Sequence, residues 1–386
     1  MPRLVSPVLA ITLCLCAAGS AGAQDIHRSA YHDYRVVTVA DGLVHPWSIA
    51  FLPNGDMLVT ERPGRLRIVR NGRLLPDPVP GVPAVHAEGQ GGLLDAVPHP
   101  DFARNRLLYL SFSKPVGGGS AATTAVVRGR FENDRLTNLQ QIFEAVSRGR
   151  GHYGSRLAFD GNGFLFITVG ERQAPARGDL EAHPAQDLSN HHGTVIRLHE
   201  DGRVPADNPF VDSAGARPEI WTYGHRNAQG LVIHPETGDV WITEHGPQGG
   251  DELNLILPGR NYGWPVIGYG VNYRSGLAIH EGTRREGMEQ PMHVWVPSIA
   301  ASGLMVYTGN RFPEWRGNLF AGGLAGEVLA RLTLDGREVV NEESLARRLG
   351  RIRDVREGPD GYIYLAIDHR QGQPTAVVRL EPAGGS

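Results

Sequence analysis

A phrase that recurs six times limits what this chain can fold into more than any other feature. An apolar opening leads to a Pro, Asp or Gly turn and then to an alternating apolar strand, first as Trp47-Ser48-Ile49-Ala50-Phe51-Leu52-Pro53-Asn54-Gly55-Asp56-Met57-Leu58-Val59-Thr60. Further copies begin near Leu93, Leu157, Leu231, Leu304 and Val355. Spacings of roughly 45 to 75 residues fit propeller blades with insertions, since a four-stranded blade takes about 40 to 50 residues. Asn54, Asn162, Thr237 and Asp360 each precede a glycine, which supplies the positive φ that a tight hairpin needs. The expectation is an all-β chain, a six-bladed β-propeller of four-stranded antiparallel blades, forming a single domain over residues 24–386. An irregular β-sandwich would use similar strands but leave the repeat unexplained. The long inserts Glu171 to Gly193 and Gly268 to Pro297 are expected to be loops gathered on one face.

Composition supports many tight turns over long helices: 50 residues are Gly and 27 are Pro. The N-terminus has Arg3, an apolar run from Leu4 to about Ala18, and Ala21-Gly22-Ala23 before Gln24, the pattern of a secretory signal cut after Ala23. Such a leader sends the mature protein to the periplasm or outside the cell. A lipoprotein signal is the other reading of Cys14 and Cys16, but Leu15 stands before Cys16 where a small residue is wanted. No later run is long enough to span a membrane. Both cysteines lie in the leader, so the mature chain has neither disulfides nor cysteine catalysis. The formal charge of −3 becomes −4 once Arg3 is removed, which argues against nucleic acid as a partner. Lys114 is the single lysine.

Several segments between the copies carry reactive residue types. His152, in Gly149-Arg150-Gly151-His152-Tyr153-Gly154, stands at a loop-to-strand entry near the axis, and a histidine there can take a proton if a partner fixes its tautomer. Glu171 ends the following strand pair and is the candidate partner. Arg226 precedes Asn227 at the entry to the fourth copy. Arg351 and Arg353 flank Ile352 at the sixth, so in an extended segment both face one side and both can address one carboxylate ligand. Gly246-Pro247 lies in a turn beside Asp251 and Glu252, where exposed carbonyls suit calcium. Each of these, taken singly, also has a structural reading.

Together they resemble the soluble quinoprotein glucose/aldose sugar dehydrogenase family over nearly all of the mature chain. The matching runs are Gly89-Gln90-Gly91-Gly92-Leu93-Leu94, His99-Pro100-Asp101-Phe102, Gly151-His152 and Gly224-His225-Arg226-Asn227, followed by Glu244 to Leu255, Asn261-Tyr262-Gly263-Trp264-Pro265 and Arg351-Ile352-Arg353-Asp354-Val355. The resemblance implies pyrroloquinoline quinone (PQQ) and Ca2+ at one end of the propeller axis. It implies that Gln90, Arg226, Asn227, Arg351 and Arg353 contact the quinone, with backbone contacts from Leu324 and Ala325. His152 would be the general base, oriented by Glu171, with Arg226 stabilising charge on the quinone oxygen. Gly246 and Pro247 carbonyls would hold the active-site calcium, while Glu252 and Tyr262 match a second, structural calcium site. The implied partners are an aldose sugar and an electron acceptor that no motif specifies; no motif specifies an oligomeric state either.

One position departs from the family pattern. Ala325 stands where relatives have a lysine near the quinone, and Lys114 belongs to a different blade. Two other readings stay open on the residues: a propeller lactonase or other hydrolase using calcium, and a non-catalytic ligand-binding propeller with a decayed quinone site.

Overall fold

The computed structural model describes residues 25–117 and 121–384; the leader expected over Met1 to Ala23 lies outside them. Six antiparallel sheets follow one another along the chain. Blade 1 holds Pro46–Phe51, Met57–Glu61, Arg65–Arg70 and Arg73–Leu74. Blade 2 holds Leu93–Pro98, Leu107–Pro115, Ala122–Glu132 and Arg135–Glu144, and blade 3 holds Leu157–Phe159, Phe164–Val169, Thr194–His199 and Ile220–Thr222. Blade 4 comprises Ala228–Ile233, Val240–Glu244, Asp251–Ile256 and His293–Trp295, and blade 5 comprises Ala301–Val306, Leu319–Gly323, Val328–Asp335 and Glu338–Leu345. Blade 6 takes Arg351–Glu357, Ile363–Asp368 and Thr375–Pro382 from the C-terminal end. Its outer strand, Tyr34–Leu43, comes from the N-terminal end, and Ile26–His27 adds a short fifth strand at the edge.

All six copies of the phrase fall on the first strand of a blade, and these strands contact one another in a ring around the axis. The glycines after Asn54, Asn162, Thr237 and Asp360 have φ of +87°, +84°, +73° and +77°, as the hairpin reading expects. The insert expected as a loop from Gly268 to Pro297 is not wholly irregular. It contains His293–Trp295, which pairs with Asp251 to Leu253 as the outer strand of blade 4. Among the described residues no helix is long and apolar enough to cross a membrane.

The alternation along each strand takes a particular form because every blade is covered on both sides. In Phe164–Val169, Leu165, Ile167 and Val169 pack with Tyr109 and Val126 of blade 2, whereas Phe166 packs with Ala228 and Ile242 of blade 4. Period two therefore decides which neighbour a side chain meets, not whether it meets water. The same rule gives six apolar clusters, one at each blade interface, including the interface of blades 6 and 1 built from Ile49, Val59, Tyr364 and Val377.

A hydroxyl in the second strand ties each of blades 1 to 4 to the next. Thr60 donates to Leu94 O (2.5 Å), Ser111 to Ser155 O (2.5 Å), Thr168 to Ala228 O (3.0 Å) and Thr243 to Ser302 O (2.7 Å). Blade 5 has Gly322 in that place, and Ser302 of its inner strand donates to Ile352 O instead (2.6 Å). Thr168 also accepts the Arg156 N–H (2.9 Å), so its hydroxyl serves two buried backbone groups. The isosteric change Thr168→Val strands both in a dry interface and should cost about 1–3 kcal/mol. The expected result is a lower urea midpoint with an unchanged slope.

Candidate active site

His152 enters blade 3 from a loop and adopts φ +45°, a conformation uncommon for a residue with a Cβ. Its N–H donates to Gln90 Oε1 (2.7 Å), and its Nδ1 lies 2.7 Å from Glu171 Oε2. Glu171 also accepts the Gln173 N–H (2.7 Å), and its own N–H donates to Arg226 O (2.8 Å). A carboxylate at Nδ1 calls for a proton there, which leaves Nε2 as the free lone pair. Nε2 has no hydrogen-bond partner among the described residues.

Electrostatics favour the same protonation state. Burial holds His152 below the ordinary histidine range, and Arg226 and Arg172 push in the same direction while Glu171 opposes them. Burial works against the charge on Glu171. The hydrogen bonds from His152 and Gln173, with Arg226 nearby, outweigh it and keep the carboxyl below the usual range. The resting pair is thus a neutral imidazole on an ionised carboxylate.

This pair opens onto a chamber of about 430 Å³ whose walls include Arg226, His245, Pro247 and Trp264. Both long inserts reach it, one through Gln173 and Ala174 and the other through Asn272 and Tyr273, so they do gather on one face. A second cavity of about 220 Å³ shares Gln90 and His245 with the first. Arg62, Arg351, Arg353 and Arg370 line it, with Asp368 as the one carboxylate and Trp47 among the apolar wall residues. Arg351 and Arg353 approach Asp368 to 4.0 and 3.8 Å, in keeping with their two-residue spacing. Arg353 donates to Gln229 Oε1 (2.6 Å). Burial pushes it down to about 9, which leaves it charged at neutral pH.

Positive charge therefore exceeds negative across the two cavities taken together, and several of the donors are unused. The Nε atoms of Arg62, Arg226, Arg351 and Arg353 are buried without partners, as is Nε2 of His245. Buried donors without partners are costly, and a flat polyanion carrying several carboxylates is a ligand that would satisfy such a set. The residues present fit PQQ on this ground.

The cation question falls on the turn after Val240–Glu244. Asp251 accepts the N–H groups of Gly246 (3.0 Å) and Ala301 (3.1 Å), so it shapes the turn from behind. The carbonyls of Gly246 and Pro247 accept no hydrogen bond from described residues. Nearby, an enclosure of about 20 Å³ is bounded by Glu244, Glu252 and Tyr262 among others. Burial, with Glu244 and Asp251 close by, pushes Glu252 up to about 8. The Tyr262 hydroxyl is taken by Leu255 O (2.6 Å) and Leu257 N (2.9 Å), so its free carbonyl is the donor it could offer. Carbonyls plus a carboxylate short of counter-charge suit a hard divalent cation. Among the described residues no three His, Cys, Asp or Glu side chains converge on one point.

Some expected residues lie elsewhere. Asn227 is wholly buried behind the chamber, with its Oδ1 accepting the Gly154 N–H (3.2 Å). Leu324 lines the smaller cavity, but its N–H and that of Ala325 are committed to Ala300 O and Ile299 O. Ala325 is exposed and lines neither cavity, and Lys114 pairs with Glu144 (2.6 Å) on the surface. The positive charge at this end comes from arginines alone, Arg62 and Arg370 included. Arg62, Gln229, His245 and Asp368 were not singled out from the sequence. His245 stands inside the run Glu244 to Leu255, and Asp368 ends the second strand of the last copy, so both were one step from motifs already in view.

Fold and site together define a propeller with a buried acid–base pair beside an arginine-lined anion site. The chain belongs to the glucose/sorbosone dehydrogenase family, whose model matches residues 43–379. Over 347 residues it is 44% identical to the aldose sugar dehydrogenase YliI of Escherichia coli (strain K12), covering 88% of this chain and 91% of that one. A crystal structure of a glucose dehydrogenase superposes with a TM-score of 0.83 at 50% identity, covering 91% of this chain and 99% of the other. The PQQ-bound form of an aldose sugar dehydrogenase from Streptomyces coelicolor superposes with a TM-score of 0.70 at 29% identity, over 90% and 98% of the two chains.

The protonation state is open to direct measurement. In an NMR titration of histidine-labelled protein, the His152 midpoint should lie below 6.5, the ordinary value. Glu171 is the group that raises it, so Glu171→Gln should move the midpoint lower still.

Proposed function

We propose that this protein is an exported oxidoreductase that converts aldoses to lactones at the anomeric carbon, with PQQ as electron acceptor and calcium in the site. The observation that carries this reading is the neutral His152, held by Glu171 at 2.7 Å, facing a chamber that shares the Gln90 and His245 wall with an arginine-lined cavity. When bound, the quinone supplies the two-electron acceptor that no side chain here can provide.

The chain's own residues have separable tasks. Arg351, Arg353 and Arg62 would hold the anionic cofactor, and Gln90 lines both cavities while fixing the His152 backbone. Arg226, near the Trp264 ring (5.1 Å) and bonded to His245 O (3.0 Å), presents a fixed cation toward His152 and helps stabilise developing negative charge. The Nε2 atom of His152 takes the proton of the anomeric hydroxyl, and Glu171 stabilises the imidazolium that results. The carbonyls of Gly246 and Pro247 offer ligands to one calcium, and Glu252 with Tyr262 to another. A leader cut after Ala23 would deliver the chain to the compartment in which it is loaded. A calcium-dependent hydrolase would need carboxylates converging on the metal; among the described residues no such group is found, and the cavity beside the chamber sets four arginines against Asp368 alone.

Dye reduction by the purified mature protein with a panel of aldoses, with and without added PQQ and calcium, tests the reading. Sugar-dependent reduction should require both additions and fall roughly 10²- to 10⁴-fold in His152→Ala. Lactone hydrolysis in the absence of quinone would sink it. Calcium should also raise the melting temperature, because it binds the folded state alone. Glu252→Gln should remove part of that gain, and a chelator should abolish the gain in the parent protein.

A further inference from the structure

We propose that Arg172 is a positioning residue for the His152–Glu171 pair, fastening the loop that carries the imidazole to the turn that carries the carboxylate so that the two move as one body. This rests on the reading of His152 as the base. Arg172 lines neither cavity, so it touches neither cofactor nor sugar. Its guanidinium is buried and donates to four backbone carbonyls. Nη1 reaches Gly151 O and His152 O (2.9 Å), while Nη2 reaches Ala122 O (2.8 Å) and Gly149 O (3.0 Å). The group also lies 3.7 Å from the centroid of the Tyr153 ring.

Three features set this apart from an ordinary core arginine. Among the described residues it has no ion pair with a carboxylate, so its charge is met by carbonyl dipoles and an aromatic face, an arrangement that suits a planar fork and not an ammonium. The segments it joins are unusually close. A Cβ at Gly170 would stand 2.2 Å from His152 O, and one at Gly149 would stand 2.3 Å from Arg172 O. Backbone strain also concentrates here, with positive φ at His152, Arg172 and Gln173 (+45°, +66° and +58°). Such conformations persist only where surrounding contacts over-determine them, and they cluster at sites that need fixed geometry. Arg172 immediately follows Glu171, so one side chain holds both partners of a 2.7 Å contact. The charged or titratable groups around His152 are Glu171, Arg226, Arg172 and the neutral His245.

Arg172→Lys keeps the charge but cannot reach four carbonyls, and Arg172→Met removes both charge and donors. In the quinone-loaded protein kcat should fall roughly 10- to 100-fold in each, as expected for a slightly misplaced base, with KM and quinone affinity within about threefold of the parent. The acid limb of kcat/KM should move to lower pH in Arg172→Lys, which keeps the charge but loosens the Glu171 contact that raises His152; in Arg172→Met the lost cation opposes that shift, so its limb should lie above that of Arg172→Lys. In apo protein labelled at histidine, the Nδ1 proton of His152 should give a protected downfield signal in the parent that exchanges away in both variants. A kcat in Arg172→Lys within twofold of the parent overturns the proposal. So does quinone affinity that falls in step with kcat, which would mean general collapse of the site. Should Arg172→Met fail to fold, Arg172→Lys decides alone. If the parent oxidises no sugar, the dehydrogenase reading fails, and the NMR comparison still decides: an unchanged Nδ1 signal in Arg172→Lys ends the positioning role.

Discussion

The ring depends on a buried group of charges on its axis. Arg156 of the blade 3 entry approaches Asp354 of blade 6 to 3.0 Å and Asp95 of blade 2 to 3.5 Å, and Arg356 reaches the same two carboxylates at 3.0 and 3.4 Å. The remaining blades are drawn in through the backbone. Asp354 accepts the N–H of Ile49 in blade 1, and Arg156 donates to Gln229 O in blade 4 (2.9 Å for both). In blade 5, Gly303 lies so close to Asp354 that a Cβ there would stand 2.5 Å from its carboxylate. Two arginines against two aspartates leave no net charge. A buried pair of this kind is strongly destabilising to break, whatever its net worth when intact. It fixes where all six inner strands stand, and the guanidinium of Arg156 lies 4.1 Å from the ring centroid of Trp47, a wall of the arginine-lined cavity.

Beside this neutral group, charge is deliberately out of balance. The smaller cavity sets four arginines against Asp368, and burial lowers the proton affinity of Arg62, Arg351 and Arg353. Such a site is stabilised by whatever anion enters it. Burial first, then Arg353 and Arg226, keep His245 uncharged where the two cavities meet. The site thus separates its tasks: arginines create a need for a polyanion, and the imidazole at the other end stays free to accept a proton.

Much of this was legible in the chain. The repeated phrase gave the blade number because each copy must place an apolar strand at the axis, and the hairpin glycines marked where those strands turn. His152 and Glu171 were readable as a pair from their places before and after one strand pair. Arg351 and Arg353 were readable from the parity of an extended segment. Less legible were contacts between segments far apart in sequence. No local pattern brings Arg62 of blade 1 beside Arg351 of blade 6, or sets Asn227 behind the chamber wall. Arg172 escaped for a different reason: its partners are backbone carbonyls, which leave no trace in residue identity. The second-strand hydroxyls Thr60, Ser111, Thr168 and Thr243 did leave a trace, since they occupy equivalent places in successive copies.

The closing of the ring through blade 6 sets an order on the life of the chain. Thr375 meets Leu43 across a separation of 332 residues, and the Tyr34 hydroxyl accepts the N–H of Ala346 (2.6 Å). Loop closure over such a span comes late, because its entropy cost precedes its reward. Arg351, Arg353 and Asp368 all belong to this last blade. Without this blade the chain keeps the imidazole and its carboxylate but loses Arg351, Arg353 and Asp368 from the cavity wall. The arginine-lined cavity is therefore complete only in a molecule whose ring has closed, and an anion held there reports a finished fold.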